Sequence, residues 1–257
     1  MRARIRSGSA TDRAIAAAIA AVLIVIWELA ARREWISSLV FPPPSRIAAD
    51  FVTLWHQQFV EHVAYTLSRF FTGLVLGGIP GIITGLCLGW FPRLRRIVDP
   101  FIAAFHPVPK IVLFPLFIVI FGMSEWSKLA AIAMTVFFPT LINSAAGARE
   151  ISPLYFEVVR SYGGSRAALF RHVLLPGSLP MVLTGVRIGA NIGLLVTIAI
   201  EFTVTAQGIG SIIWLAWQTM RTEDLYAGVV TLSLIGITIN ASIQWLLRRV
   251  APWQLRD

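Results

Sequence analysis

A metal site needs three or four converging donors, and a nucleophile needs a base within reach. The residue types that supply either are sparse in this chain of 257 residues. Its four histidines, His56, His62, His106 and His172, are scattered, and the one cysteine, Cys87, sits inside an apolar run, where a small buried hydrophobe is its expected role. No HExxH, GxSxG or GxxxxGKS/T spacing occurs, so the chain is not expected to be an enzyme or to bind a metal. Ionisable side chains deep in apolar runs would mark an ion-coupled transporter. Here Glu28, Arg187 and Glu201 fall near the ends of their runs, and Glu28 has Arg32 four residues on as an ion-pair partner. The remaining polar grouping suits recognition rather than catalysis: residues 151–180, a basic, glycine-broken segment between long apolar runs.

That segment carries a full set of local signals. Ser152-Pro153 predicts a helix start, with a hydroxyl able to cap free N–H groups and proline where no donor is needed. Ile151, Tyr155, Val158 and Tyr162 then share one face, while Glu157, Arg160 and Ser161 share another. Gly163-Gly164 supplies the left-handed stop, Ser165 caps a second short helix through about Val173, and Pro176 and Pro180 break the chain again. Helix, glycine turn, helix is a rigid projection whose apolar face can fill a partner's groove.

The elements that must hold this projection are membrane helices. A composition 56% hydrophobic and only 14% charged lies outside the soluble range. The net charge of +9 comes from short arginine clusters between apolar runs, a pattern of membrane topology rather than nucleic-acid binding. About 20 apolar residues cross a bilayer. Six segments approach that length: 14–31, 67–91, 101–121, 129–148, 181–201 and 225–247, read as one domain over 1–257. The first lacks a cleavage signal after Arg32-Arg33-Glu34-Trp35 and reads as a retained span. Arg2, Arg4, Arg6 and Arg13, then Arg93, Arg95 and Arg96, then the arginines of 147–181, then Arg248, Arg249 and Arg256 fall on one side. The positive-inside bias places both termini and 151–180 in the cytoplasm.

Between the first two spans, Phe41-Pro42-Pro43-Pro44 is a stiff connector, with Ser45 expected to cap an amphipathic interfacial helix around Ile47 to Trp55. Gly73, Gly77, Gly81, Gly85 and Gly89 recur every fourth residue and form one slowly winding groove for close helix packing. The third span is interrupted by His106-Pro107-Val108-Pro109-Lys110 and by Pro115. Lys110 at a helix centre would cost about 2.5–3.5 kcal/mol, so a snorkelling position at the cytoplasmic boundary, with the helix starting near Ile111, is expected. Asn143, Arg187, Asn191, Thr197 and Asn240 are the other polar residues within spans. Pro109, Pro115, Asn143, Asn191 and Thr197 are the candidates for a translocation pathway. Trp214, Trp217 and Gln218 suit either an outer gate or an interfacial aromatic belt.

Glu157, Gly163 six residues on, and Val173-Leu174-Leu175-Pro176 after nine more resemble the EAA loop of binding-protein-dependent ABC importer permeases. That pattern reads Glu-Ala-Ala, three residues, Gly, nine residues, Ile-x-Leu-Pro; Val158-Val159 and Val173 depart from it but stay apolar. Pro44-Ser45, the glycine-rich second span, Leu94-Arg95-Arg96, Asp99-Pro100, Pro115-Leu116-Phe117, Phe121-Gly122 and Phe138-Pro139 are similar to the nitrate/sulfonate/taurine branch. The resemblance implies an all-α integral membrane fold of six helices with a cytoplasmic helix-turn-helix coupling loop, as in type I importers. It also implies a bacterial inner-membrane homodimer, cytoplasmic ABC ATPase subunits that use ATP and magnesium, and an extracytoplasmic solute-binding protein. No cofactor is expected on this subunit itself. The ATPase-coupling residues it implies are Glu157, Arg160, Gly163, Gly164, Arg166, Leu175 and Pro176. The expected cargo is a sulfonate, taurine, nitrate or similar anion, with an aromatic vitamin precursor, or an ATP-independent secondary transporter, as alternatives.

Overall fold

The computed structural model describes residues 10–54 and 59–250, together with helical chain and short connections only; no strand occurs among the described residues. Arg2, Arg4, Arg6, Trp55, His56 and Arg256 lie outside the described residues, as does the side chain of Arg13. The helices are α1 (Ala10–Arg32), α2 (Pro44–Leu54), α3 (Val60–Trp90), α4 (Pro92–Phe105), α5 (Phe114–Phe121), α6 (Glu125–Glu150), α7 (Pro153–Ser161), α8 (Arg166–Leu169), α9 (Leu175–Val204), α10 (Ile209–Gln218) and α11 (Thr222–Val250). Five stretches are long and apolar enough to cross a membrane, and α4 with the 110–121 segment makes a sixth, bent by 86°.

The described residues divide into two compact units, Met1–Val60 with Ile212–Val230 and Glu61–Ser211 with Thr231–Asp257. In the first, α1 leaves Ile15, Ile19, Val22 and Ile26 exposed, as a helix surrounded by lipid can. Its last turn is tied to α2: Glu28 accepts from the Ser45 backbone N–H (2.9 Å) and hydroxyl (2.7 Å) and pairs with Arg32. Ser45 therefore bonds Glu28 from inside α2 instead of capping it, because the helix already begins at Pro44, where no N–H needs a partner. The Tyr226 hydroxyl donates to the Val40 carbonyl, and its ring lies 5.5 Å from that of Trp27.

The second unit is organised around α6, which is flanked by two rows of glycines. A side-chain carbon on Gly77 would fall 2.7 Å from the Ala133 carbonyl carbon, on Gly81 2.7 Å from the Phe137 oxygen, and on Gly85 2.6 Å from Ser144 Cβ. Gly73 faces Ile132 and Gly89 faces Ala148 in the same manner. On the opposite side Gly185, Gly189 and Gly193 of α9 close onto Pro139, Thr140 and Val136, a second row that sequence reading did not single out. Without a hydrophobic force between helices in lipid, such close approach supplies the dispersion contacts that hold them. Cys87 points away from this row and is exposed, not buried, because the glycines either side of it have turned the other face of α3 to α6.

The third span departs from one helix over 101–121. Pro92 starts α4 at once, so the stretch between the expected spans 67–91 and 101–121 is helical. The chain then turns through 106–109 into a short 3-10 turn at Lys110–Leu113 before α5. Lys110 does not snorkel. Its ammonium donates to the carbonyls of Phe105 (2.6 Å), His106 (2.9 Å) and Val108 (2.7 Å), and lies 4.5 Å from the Phe138 ring centre. Carbonyls at the end of α4 and in the turn that follows it are thus satisfied by a side chain, which is how irregular backbone is accommodated in a membrane protein.

Candidate functional site

Residues 151–180 fold as helix, turn and helix. The Ser152 hydroxyl makes no capping bond; Pro153 at the first position makes it dispensable, and the Ser152 carbonyl accepts from Tyr155 N–H at 3.1 Å. Gly163 takes φ +73, the left-handed conformation, as Gly164 N–H reaches back to the Val159 carbonyl at 2.9 Å and closes α7 in a Schellman arrangement. Gly164 lies so close that a side-chain carbon would stand 2.6 Å from that carbonyl oxygen. Ser165 then caps α8 by accepting from Ala168 N–H at 3.2 Å. A five-residue π turn, Phe170–Leu174, buries Val173 and Leu174 and passes the chain into α9.

One side of this module is anchored and the other is open. Phe156 packs edge-on against Trp90 with ring centres 5.9 Å apart, while Ile151 and Phe156 rest on Leu86, Ala148, Leu174 and Val182. Leu154, Tyr155, Val158 and Tyr162 are 62%, 63%, 47% and 88% exposed, an apolar stripe with nothing on it. Next to it runs an open groove of about 700 Å³ lined by Tyr155, Val158, Val159, Val173, Pro176 and Met181 among others. Glu157, Arg160 and Arg166 are exposed, Arg160 beside Trp90 and Phe156 on the anchored side; Leu175 is exposed, and Pro176 is half-buried at the start of α9.

At the other end of α9 lies a group of charges that local sequence pattern does not reveal. Arg69 of α3 forks onto Glu125 at the start of α6, Nε to Oε2 at 2.8 Å and Nη2 to Oε1 at 3.0 Å. Its Nη1 donates to Glu201 at 3.0 Å and to the Gln207 carbonyl at 2.7 Å. Lys128 closes the group on Glu125 at 2.6 Å, so two cations meet two carboxylates. Glu201 is fully buried inside α9 and also accepts from the Thr66 hydroxyl (2.9 Å) and Gly210 N–H (3.0 Å). Thr66 in turn accepts from Ile209 N–H at 2.8 Å. Gly208 has φ +115 and faces the Glu201 carboxylate closely enough to exclude any side chain. The loop 205–210 is thereby wrapped around one carboxylate. Glu201 at the end of one apolar run and Arg69 in another were its signals in the sequence, and nothing local showed that they meet.

The residues proposed for a pathway are dispersed. Thr197 is 1% exposed and donates to the Gly193 carbonyl of its own helix, and Asn143 donates to that of Pro139. Pro109 precedes the 3-10 turn and Pro115 opens α5. Asn191 is joined through Asn240 to Arg187, linking α9 to α11.

Residues 77–256 match the family of binding-protein-dependent transport system inner membrane components. The taurine transport system permease protein TauC of Escherichia coli is 31% identical over 91% of this chain and 87% of its own length. The formylaminopyrimidine transport permease protein ThiX of Halalkalibacterium halodurans is 31% identical over 92% and 94%. A putative aliphatic sulfonates transport permease protein, SsuC of Escherichia coli, is 32% identical over 90% and 88%. Among solved structures, an inward-facing MetNI methionine ABC transporter chain superposes with TM-score 0.64 at 20% identity, over 76% of this chain and 97% of that one, a likeness of fold. With the family model covering most of the chain and relatives aligned nearly end to end, this protein belongs to the binding-protein-dependent transport system inner membrane components and is a membrane-spanning permease subunit of an ABC importer.

Proposed function

We propose that residues 151–180 form the cytoplasmic coupling element on which an ABC ATPase subunit docks, and that two copies of this chain enclose the path of a small anionic solute. The observation that carries the reading is the exposed apolar stripe Leu154, Tyr155, Val158 and Tyr162 on a helix whose other side is locked to Trp90. A stripe of that kind needs a groove to fill, and the rigid glycine turn lets the module move as one body when the partner moves. Glu157, Arg160 and Arg166 supply the module's polar contacts, Gly163 and Gly164 its turn, and Leu175 and Pro176 its junction with α9. ATP and magnesium act on the partner. The arginine distribution supports cytoplasmic termini, with an extracytoplasmic binding protein delivering cargo to the opposite side.

Similarity to taurine and sulfonate permeases supports a sulfonate, taurine or nitrate-like cargo. The equal identity to ThiX supports a second reading, an aromatic pyrimidine cargo carried by the same machinery. Uptake into proteoliposomes containing this subunit, its ATPase and its binding protein separates them: labelled ethanesulfonate, taurine or nitrate should accumulate with ATP, and formylaminopyrimidine should not. Uptake of the pyrimidine alone would overturn the anionic reading, and uptake without ATP hydrolysis would overturn the coupling.

A further inference from the structure

Arg187, which the run 181–201 sets near an end, stands near the middle of α9 because that helix begins six residues earlier, and its side chain is exposed on this chain. At 1.5 Å per residue it lies roughly 10 Å along the helix from Pro180, and its partner Asn240 lies roughly 12 Å along α11 from Arg248. Both positions are well inside the apolar spans. An ionisable side chain at that depth belongs against protein or a water-filled cavity, because lipid offers it no partner.

The hydrogen bonds determine what this cluster offers to whatever lies in front of it. A guanidinium has only donors, so its Nε, 3.1 Å from Asn240, must meet the oxygen Oδ1. Asn240 Nδ2 then donates to Asn191 Oδ1 at 2.9 Å and to the Gly236 carbonyl at 3.1 Å. Both side-chain amide oxygens are engaged. Among the described residues, Arg187 has no ion-pair partner, and neither its two Nη groups nor Asn191 Nδ2 has an acceptor. What remains is a set of donors only, held in place by two helices. Three acceptor oxygens on one negative group are the complement of such a set, and the planar fork matches two of them at once.

We propose that Arg187, oriented by Asn240 and Asn191, is an oxyanion-binding station in the transport path that receives the sulfonate or similar oxyanion head of the solute. The inference rests on the importer reading above and narrows its cargo to the anionic class. A site within the path must release what it binds, and one fork with one amide is a smaller set of contacts than a closed binding-protein pocket provides.

The test uses the complete transporter, with ATPase and binding protein, in proteoliposomes and labelled ethanesulfonate as probe. Arg187→Gln keeps a polar side chain of similar reach but removes the charge, and uptake should fall about 100-fold, as expected for losing a charge-assisted fork. Arg187→Lys should recover about a tenth of the wild-type rate, because it restores the charge without the planar geometry. The ratio of permease to ATPase in the purified complex should be the same for all three proteins. Uptake by Arg187→Gln within about threefold of wild type would overturn the station and leave the importer reading intact. Loss of subunits from both variants would also overturn it, assigning Arg187 to contacts between copies. Wild-type protein that carries formylaminopyrimidine and excludes ethanesulfonate, taurine and nitrate would overturn the station and the anionic cargo together, while uptake of neither class with ATP would overturn the importer reading itself.

Discussion

Arg69→Met should lower the stability of the permease by about 3–5 kcal/mol, the range for breaking a buried ion pair by removing one partner. The Arg69 side chain is 4% exposed and Glu201 is 0% exposed, so the stranded carboxylate of Glu201 cannot recover solvation by turning outward. It would keep only Thr66 and Gly210, while the Gln207 carbonyl would keep the Thr205 hydroxyl as its one donor. Arg69→Lys should fall between, since one ammonium cannot fork onto Glu125 and still reach both Glu201 and Gln207. Glu125→Gln should lose about 1 kcal/mol or less, because the Glu125 side chain is 52% exposed. Thermal unfolding of the detergent-solubilised protein measures all three. Arg69→Met melting with wild type would show that the cluster is not holding α3, α6 and α9 together.

The second large effect is steric. Gly77→Ile places a branched side chain where the Ala133 main chain already stands, and backbone cannot swing aside as a side chain can. Overpacking of this kind costs about 1–3 kcal/mol or more and pushes α3 off α6. One residue on, the same face opens: an added carbon at Gly78 finds only Val136, at 3.8 Å, so Gly78→Ala should be neutral or slightly stabilising. The yield and melting temperature of the two variants should differ sharply. Equal behaviour would mean that the row at 73–89 does not determine how these helices pack.

The same contrast explains what could be read from the chain directly. Apolar runs point to helices, because backbone hydrogen bonding in lipid leaves little choice, yet the run at 101–121 holds the end of one helix, a turn and a second helix bent by 86° from the first. The glycine row and the helix-turn-helix at 151–180 are local patterns, so spacing and caps display them. Arg69 and Glu201 are 132 positions apart, and no periodicity within either helix announces that they meet. Residues 92–98 look like a loop by their charges, yet Pro92 is a good first helical residue and α4 begins there. Lys110 departs from its expected place for a related reason: its partners are carbonyls where α4 ends and the chain turns, which composition cannot show. Arg187, Asn191 and Asn240 are each unremarkable alone and acquire meaning only as one hydrogen-bonded set.

The central claim is that the exposed stripe of α7 is where an ATPase subunit grips this permease. Its most direct measurement is the amount of ATPase that copurifies with wild-type permease and with Val158→Asp. Val158 is 47% exposed and touches no buried cluster, so a carboxylate there should leave the melting temperature unchanged. It should nonetheless weaken ATPase binding by at least about tenfold, the loss expected for an apolar anchor replaced by a charge in a desolvated groove. Full ATPase recovery with a folded Val158→Asp permease would contradict the account.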